Sequence, residues 1–262
     1  MRFGNLFFPK SCPGCGELLD FRGLGKQPPD ETPLCDSCRI GWETQKREKC
    51  GFCGEPVSDC LCMTGEQRRA GCVGFCKLSY YYRGTREPVP NRLIYQIKDH
   101  RNRTAVRFLA KELAPRIRAM LERQAIPPAD TVLTYLPRGL LARFESGTDQ
   151  AKALCKALGE EMRLPVLRLI GRSPLRNRQQ KHLSFPQRKK NAQKTFSVRW
   201  DERAAGKYVV LIDDIVTTGS GMAVCAKRLK KAGVRDVFCA AIATEDSNRE
   251  PIAAQPHFGT AR

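Results

Sequence analysis

Between residues 162 and 200 the chain carries no aspartate or glutamate, although eleven lysines and arginines fall there. The 262 residues hold 46 basic and 27 acidic side chains, a formal net charge of +19. Residues 1–80 supply +1 of this, 81–161 supply +6, 162–200 supply +11 and 201–262 supply +1. One tract therefore makes the chain basic, and it calls for an acidic partner, either a phosphate-bearing small molecule or a nucleic-acid backbone. Long apolar runs are missing too. No stretch approaches the roughly 20 residues needed to cross a bilayer, which excludes membrane insertion. The opening MRFGNLFFPKSCPGC is too short in apolar residues for a secretory leader, so a cytoplasmic, reducing setting is expected. No Ser/His/Asp or Cys/His nucleophilic arrangement stands out. His182, inside the basic tract, is the one histidine worth testing, and it also reads simply as a surface residue.

Cysteine is scarce after residue 76, where only Cys155, Cys225 and Cys239 occur, and dense before it. Eight of the ten early cysteines form short pairs: Cys12/Cys15, Cys35/Cys38, Cys50/Cys53 and Cys60/Cys62. In a reducing compartment such pairs read as metal ligands. Cys12-Pro-Gly-Cys15-Gly and Cys50-Gly-Phe-Cys53-Gly are tight turns that let two sulfurs face one ion. Four sulfurs at about 2.3 Å make a closed structural zinc site with no open position for water. One or two structural zinc ions are expected, with cross-braced pairing left open. Cys72 and Cys76 read as small buried residues.

Beyond Lys77, helical and strand patterns alternate. Residues 104–121 place Val106, Leu109, Leu113, Ile117 and Leu121 at helical spacing, with Pro115 expected to kink or split the helix. Residues 131–136 and 208–212 read as strands, 148–158 and 220–232 as helices, and Asp236–Ala243 as a further buried strand, with Gly233 as a helix stop. This alternation predicts an α/β domain, a parallel sheet flanked by helices, with its ligand site at the carboxyl ends of the strands.

The stretch with the most chemistry is VVLIDDIVTTGSG at 209–221. An apolar strand runs into two carboxylates, Asp213 and Asp214, and then into a loop rich in hydroxyls and glycine that opens a helix. Unpaired N–H groups at such a helix start suit a phosphate. Gly219 and Gly221 permit close backbone approach, while Thr217, Thr218 and Ser220 add hydroxyls. Capping by Thr217 alone would not require paired acids. Twin acids beside a phosphate cradle make sense if they hold sugar hydroxyls, with a divalent cation nearby.

VVLIDDIVTTGSG resembles the phosphoribosyl pyrophosphate (PRPP) signature of type I phosphoribosyltransferases. Together with the cysteine-rich front, the chain resembles the ComF-type competence proteins from Cys12 to about Thr244. The similarity includes Tyr80–Lys98, Tyr135–Arg138, Gly147–Gln150, and Gln180–Leu183 with Arg188 and Asn191. The family's usual threonine is replaced by Gly221, beside Ser220, and its Arg-Gly-Phe-Asn-Gln run appears as Ser146–Gln150. The resemblance implies a zinc-binding module over 1–76, a phosphoribosyltransferase-like domain over 77–246 and a poorly ordered tail over 247–262. It implies that PRPP binds with magnesium. Asp213 and Asp214 would hold the ribose, Thr217, Thr218, Gly219, Ser220 and Gly221 the 5′-phosphate, and Pro137 and Arg138 the pyrophosphate. Arg172, Arg176, Arg178, Lys181, Arg188, Lys189 and Lys190 would form a flexible basic hood, although a solvated basic loop has the same composition.

Two functions follow from the resemblance. One is phosphoribosyl transfer with release of pyrophosphate, in which charge placement at an oxocarbenium-like transition state does the work. The other is a non-catalytic, PRPP-responsive protein that binds single-stranded DNA or acts as an adaptor during DNA uptake beside a competence helicase. Tyr80, Tyr81, Tyr82 and Tyr95 would then offer stacking surfaces, with at least half of them expected in the core.

Overall fold

A computed structural model describes residues 11–19, 33–99, 102–138, 149–173 and 195–245. Arg176, Arg178, Lys181, His182, Arg188, Lys189 and Lys190, and the tail 247–262, lie outside the described residues.

The apolar runs become the strands of one parallel sheet. Its order is β1 (Gly74–Tyr81), β6 (Asp236–Glu245), β5 (Tyr208–Val216) and β2 (Thr131–Tyr135). A backbone bridge from Leu133 to Val166 continues the parallel pairing one step beyond β2. The reason β5 and β6 lack an alternating pattern is that both sheet faces are covered. Val210, Ile212, Phe238, Ala240 and Ile242 enter one core with α3 (Val89–Asp99), α4 (Arg103–Glu122) and α5 (Gln150–Met162). Val209, Leu211, Val237, Cys239 and Ala241 enter the opposite core with α6 (Ser220–Ala232).

Helix α4 runs unbroken through Pro115, so the expected split does not occur. Proline removes one helical hydrogen bond. Pro115 lies on the exposed side, while Leu109, Leu113 and Ile117 are fully buried. Each such side chain contributes about 1.5–3 kcal/mol of burial, which outweighs the lost bond. Helix α5 begins at Gln150, capped by Asp149, whose carboxylate accepts from Lys152 N at 3.3 Å. Helix α6 spans Ser220–Ala232 and ends at Gly233, whose φ of 108° suits only glycine.

The cysteine-rich segment packs directly onto this sheet. Helix α1 (Asp36–Lys46) buries Trp42, which meets Phe108 of α4 edge-on with ring centroids 5.5 Å apart. Trp42 Nε1 donates to Glu112 Oε2 at 3.0 Å. Cys12, Leu34, Cys38 and Trp42 share one apolar core with Leu78, Leu93 and Leu109. The short helix α2 (Gly65–Arg69) lies on the other side, against α6. Strand β1 begins at Gly74, where a Cβ would stand 2.9 Å from Phe238.

A two-stranded antiparallel ribbon, β3 (Ile170–Arg172) with β4 (Phe196–Val198), lies within the basic tract. Ser173 N donates to Thr195 O at 2.9 Å, which extends the pairing of the two strands.

Candidate functional site

The eight paired cysteines gather into two tetrads, Cys12/Cys15/Cys35/Cys38 and Cys50/Cys53/Cys60/Cys62, with the sulfurs of each within 4.8 Å of one another. The pairing is sequential, not cross-braced. The first pair of each tetrad sits on the same turn. Gly16 N donates to Cys12 O at 2.7 Å and Gly54 N to Cys50 O at 2.9 Å, and both glycines have positive φ. A tetrahedral zinc with Zn–S near 2.3 Å needs sulfurs ~3.8 Å apart, so each tetrad is a set of ligands able to hold such an ion.

The surroundings divide each tetrad: burial pushes Cys15, Cys60 and Cys62 up and the hydrogen bond with Cys12 raises Cys38, whereas one thiol in each set is held down. The Cys38 thiol, aided by the N–H groups of Cys35 and Gly14, holds Cys12 down at about 4. Burial pushes Cys50 up, but the N–H groups of Cys53 and Phe52 and the Cys60 thiol outweigh it and leave it at about 6. Two cations complete the arrangement. Buried Lys77 donates to Cys60 Sγ at 3.1 Å, and Arg92 to Cys38 Sγ at 3.6 Å. They would offset part of the negative charge of four thiolates around a bound metal, a contribution that spacing rules do not reveal.

At the carboxyl edge of the sheet, β5 continues past Ile212 through Asp213 and Asp214 to Val216, so the acids lie within the strand and not at its end. Asp214 N donates to Asp213 Oδ1 and Ile215 N to Asp214 Oδ1, each at 2.9 Å. Among the described residues, Asp214 Oδ2 is buried and has no hydrogen-bond partner. It faces Lys98 Nζ at 3.6 Å and Arg138 Nη2 at 3.9 Å. Burial and the adjacent Asp214 push Asp213 well above the usual carboxylate range. Burial acts on Asp214 in the same direction, but Lys98 and Arg138 overcome it and hold this carboxyl below its ordinary value. The pair is thereby divided into a carboxyl that keeps its proton more readily and one that stays ionised.

The loop after the acids is compact. Thr217 is exposed. Thr218 Oγ1 and Ser220 Oγ lie 2.9 Å apart, and Ser220 is buried. The N-cap of α6 is Gly219, in the left-handed region at φ 74°, and the first N–H of the helix, Ser220 N, donates to Thr218 Oγ1 at 3.3 Å, so the Thr217 capping alternative does not hold. A Cβ at Gly221 would stand 3.0 Å from Leu136 Cδ2 and 3.5 Å from Phe196 Cε2, so a threonine there requires the Leu136 side chain to give way.

Several expected residues converge here. Arg138 N donates to Asp149 Oδ2 at 3.4 Å, and Arg172 Nη1 to Pro137 O at 3.2 Å. Arg172 also stacks on Phe196, 5.3 Å from the ring centroid. Of the basic hood residues, Arg172 alone is among the described residues, and it sits beside the site. Tyr80 and Tyr82 are buried, whereas Tyr81 and Tyr95 are half-buried with their hydroxyls 3.2 Å apart. Lys98 was not among the residues expected from sequence. It sat in a motif read as a whole, and only the approach of α3 to β5 reveals its partner.

The phosphoribosyl transferase domain model matches residues 122–261, more than half of the chain. The chain belongs to the phosphoribosyl transferase family. Comparison with curated proteins gives no match. Among solved structures, an HPRT glutamic acid mutant from a study of an invariant aspartic acid is 19% identical, with a TM-score of 0.35, covering 57% of this chain and 73% of that one. Hypoxanthine phosphoribosyltransferase from Trypanosoma cruzi, a mutant complexed with the product IMP, is 18% identical with a TM-score of 0.35, covering 58% and 71%. A hypothetical protein from Neisseria gonorrhoeae with bound ppGpp is 16% identical with a TM-score of 0.32, covering 57% and 74%. The assignment rests on the family model. The phosphoribosyl transferase segment includes the acids and the α6 loop, whereas Lys98, Tyr81 and both tetrads precede it.

Proposed function

We propose that the chain binds PRPP, with its magnesium, at the carboxyl edge of the sheet, and that it is a ComF-type member of its family. The observation that carries this reading is Asp214 Oδ2, a buried carboxylate oxygen with no hydrogen bond among the described residues, set between two cations. A ribose hydroxyl would supply the missing donor. Asp213 and Asp214 would hold the sugar, one carboxyl donating while it retains its proton and the other accepting. Residues Thr217 to Gly221 would surround the 5′-phosphate at the N-terminus of α6. Pro137, Arg138 and Arg172 would meet the pyrophosphate, with Lys98 close by. Magnesium would come with PRPP and neutralise part of its charge. Zinc would occupy the tetrads, as in the double-ribbon front of ComF-type proteins. The domain limits 1–76 and 77–246 belong to the same proposal.

Transfer would proceed by loss of pyrophosphate from the ribose, and these cations would stabilise the departing charge. A second reading keeps PRPP binding without turnover, in a protein that itself binds single-stranded DNA or acts as an adaptor during uptake. The glycine at 221, where the family usually has a threonine, favours it. Thermal melting tests the shared part. Mg-PRPP at a hundred times its Kd should stabilise the fold by about 2.7 kcal/mol. An unmoved melting curve would contradict both readings, and a pyrophosphate-release screen over candidate acceptors separates them.

A further inference from the structure

Helix α2 connects the second cysteine tetrad to the loop that opens α6. Thr64, two residues after the ligand Cys62, caps α2 through a reciprocal pair of hydrogen bonds. Its Oγ1 accepts from Gln67 N at 3.3 Å, and its N–H donates to Gln67 Oε1 at 2.8 Å. Both side chains then press on the loop. A Cβ at Gly219 would overlap Thr64 Oγ1 and stand 3.3 Å from Gln67 Cγ. Gln67, fully buried, donates from Nε2 to Met222 Sδ of α6 at 3.3 Å. Thus Gly219 is fixed by two constraints, its left-handed φ of 74° and the wall that Thr64 places against it.

A five-residue helix has little stability of its own. What holds its start is its own capping box and, immediately upstream, the Cys60 and Cys62 sulfurs. Loss of a metal from that tetrad would loosen the anchor of Thr64, and with it the wall behind Gly219.

We propose that Thr64 and Gln67 are positioning residues for the α6 loop, and that metal in the Cys50/Cys53/Cys60/Cys62 tetrad and anion binding at residues 217–221 are energetically coupled. The anion half rests on the PRPP reading above. The first tetrad has no such contact with the α6 loop among the described residues: Cys12 and Cys38 pack into the opposite core, with Leu93 and Leu109. Coupling is reciprocal by linkage: whatever the metal does for the ligand, the ligand does for the metal.

The test follows release of zinc from the zinc-loaded full chain into a chromogenic chelator, with and without saturating Mg-PRPP. One of the two ions should leave at least about five-fold more slowly with ligand, and the other at an unchanged rate. Thr64→Ala, with both zinc ions still bound, should remove that difference and weaken Mg-PRPP binding about five- to ten-fold. Equal release rates with and without ligand, or wild-type affinity in Thr64→Ala, would overturn the coupling. Hydrogen exchange gives a readout that needs no PRPP. Amides of residues 217–225 should lose protection in Cys53→Ser, which lacks one ligand of the second tetrad, and keep it in Cys15→Ser. If wild type fails to bind Mg-PRPP, the functional reading falls, while exchange still decides the coupling. Equal protection in the two variants would end it.

Discussion

Lys98 of α3 stands 3.6 Å from the buried Oδ2 of Asp214, and that approach sets the charge of the carboxylate pair. Asp214 is held below its ordinary value, so its charge stabilises the fold above about pH 3.9 and the benefit fades as pH falls through its depressed value. Asp213 is shifted the other way: the folded state holds its proton more tightly, and stability declines as pH rises from about 3.9 to its raised value. Conservative replacements of adjacent acids should therefore have opposite signs. At pH 7, Asp213→Asn should stabilise by about 1 kcal/mol, whereas Asp214→Asn should cost about 1–3 kcal/mol by removing the charge that Lys98 and Arg138 face. Urea unfolding at pH 7 checks both. Changes of the same sign would show that burial treats the two carboxyls alike.

Replacing Gly221 with the threonine usual in the family should not improve the protein. The added Cβ meets Leu136 at 3.0 Å, so Leu136 must move. Gly221→Thr should cost about 1–3 kcal/mol in urea unfolding, as overpacking generally does. Combined with Leu136→Ala, the cost should be clearly less than the sum of the two single changes. Strict additivity would contradict the contact.

Removing the first metal should unsettle the core and not merely the surface. Cys12 and Cys38 are buried in the same core as Trp42 and Leu78. Stripping zinc should cost more than about 3 kcal/mol, lowering Tm by roughly 6–12 °C, and shift the emission of Trp42 to the red. An unchanged Tm after complete chelation would show that the tetrads are not structural. Trp42→Phe serves as the control that assigns the emission change.

Lys77 tests whether the cations beside the tetrads support metal binding. It is 3% exposed and donates to Cys60 Sγ. Lys77→Met keeps the length and burial but removes the donor. Competition with a chelator should show zinc bound about 10–100-fold more weakly at one site. Equal affinity would mean that Lys77 is held for packing alone.

Much of this arrangement is legible before any coordinates. The unbroken apolar run at 208–212 requires a strand covered on both faces, and Cys-x2-Cys-Gly-Glu, repeated at 12–17 and 50–55, requires two like turns. The helix over 220–232 is delimited by glycine on either side and matches the observed Ser220–Ala232. What is hidden is what depends on partners distant in sequence. Pro115 reads as a kink or a split because local rules do not include the burial of Leu113 and Ile117 that outweighs it, and the split is absent. Asp213 and Asp214 read as a strand end because paired acids are rare in strands, yet β6 continues alongside them, pairing Asp213 with Ala241 and Ile215 with Ala243. Lys98, Lys77 and Thr64 have no motif of their own, and their roles follow from helices and strands meeting across intervals of tens of residues or more.

Titration calorimetry of Mg-PRPP into the wild-type chain and into an Asp213→Asn/Asp214→Asn double variant bears on the central claim most directly. Saturable binding to wild type with 1:1 stoichiometry, reduced at least about 100-fold in a double variant that still melts cooperatively, is the expected result. Undiminished affinity in the folded double variant, or no heat with wild type, would show that the twin carboxylates of β5 are not where a phosphorylated ribose is held.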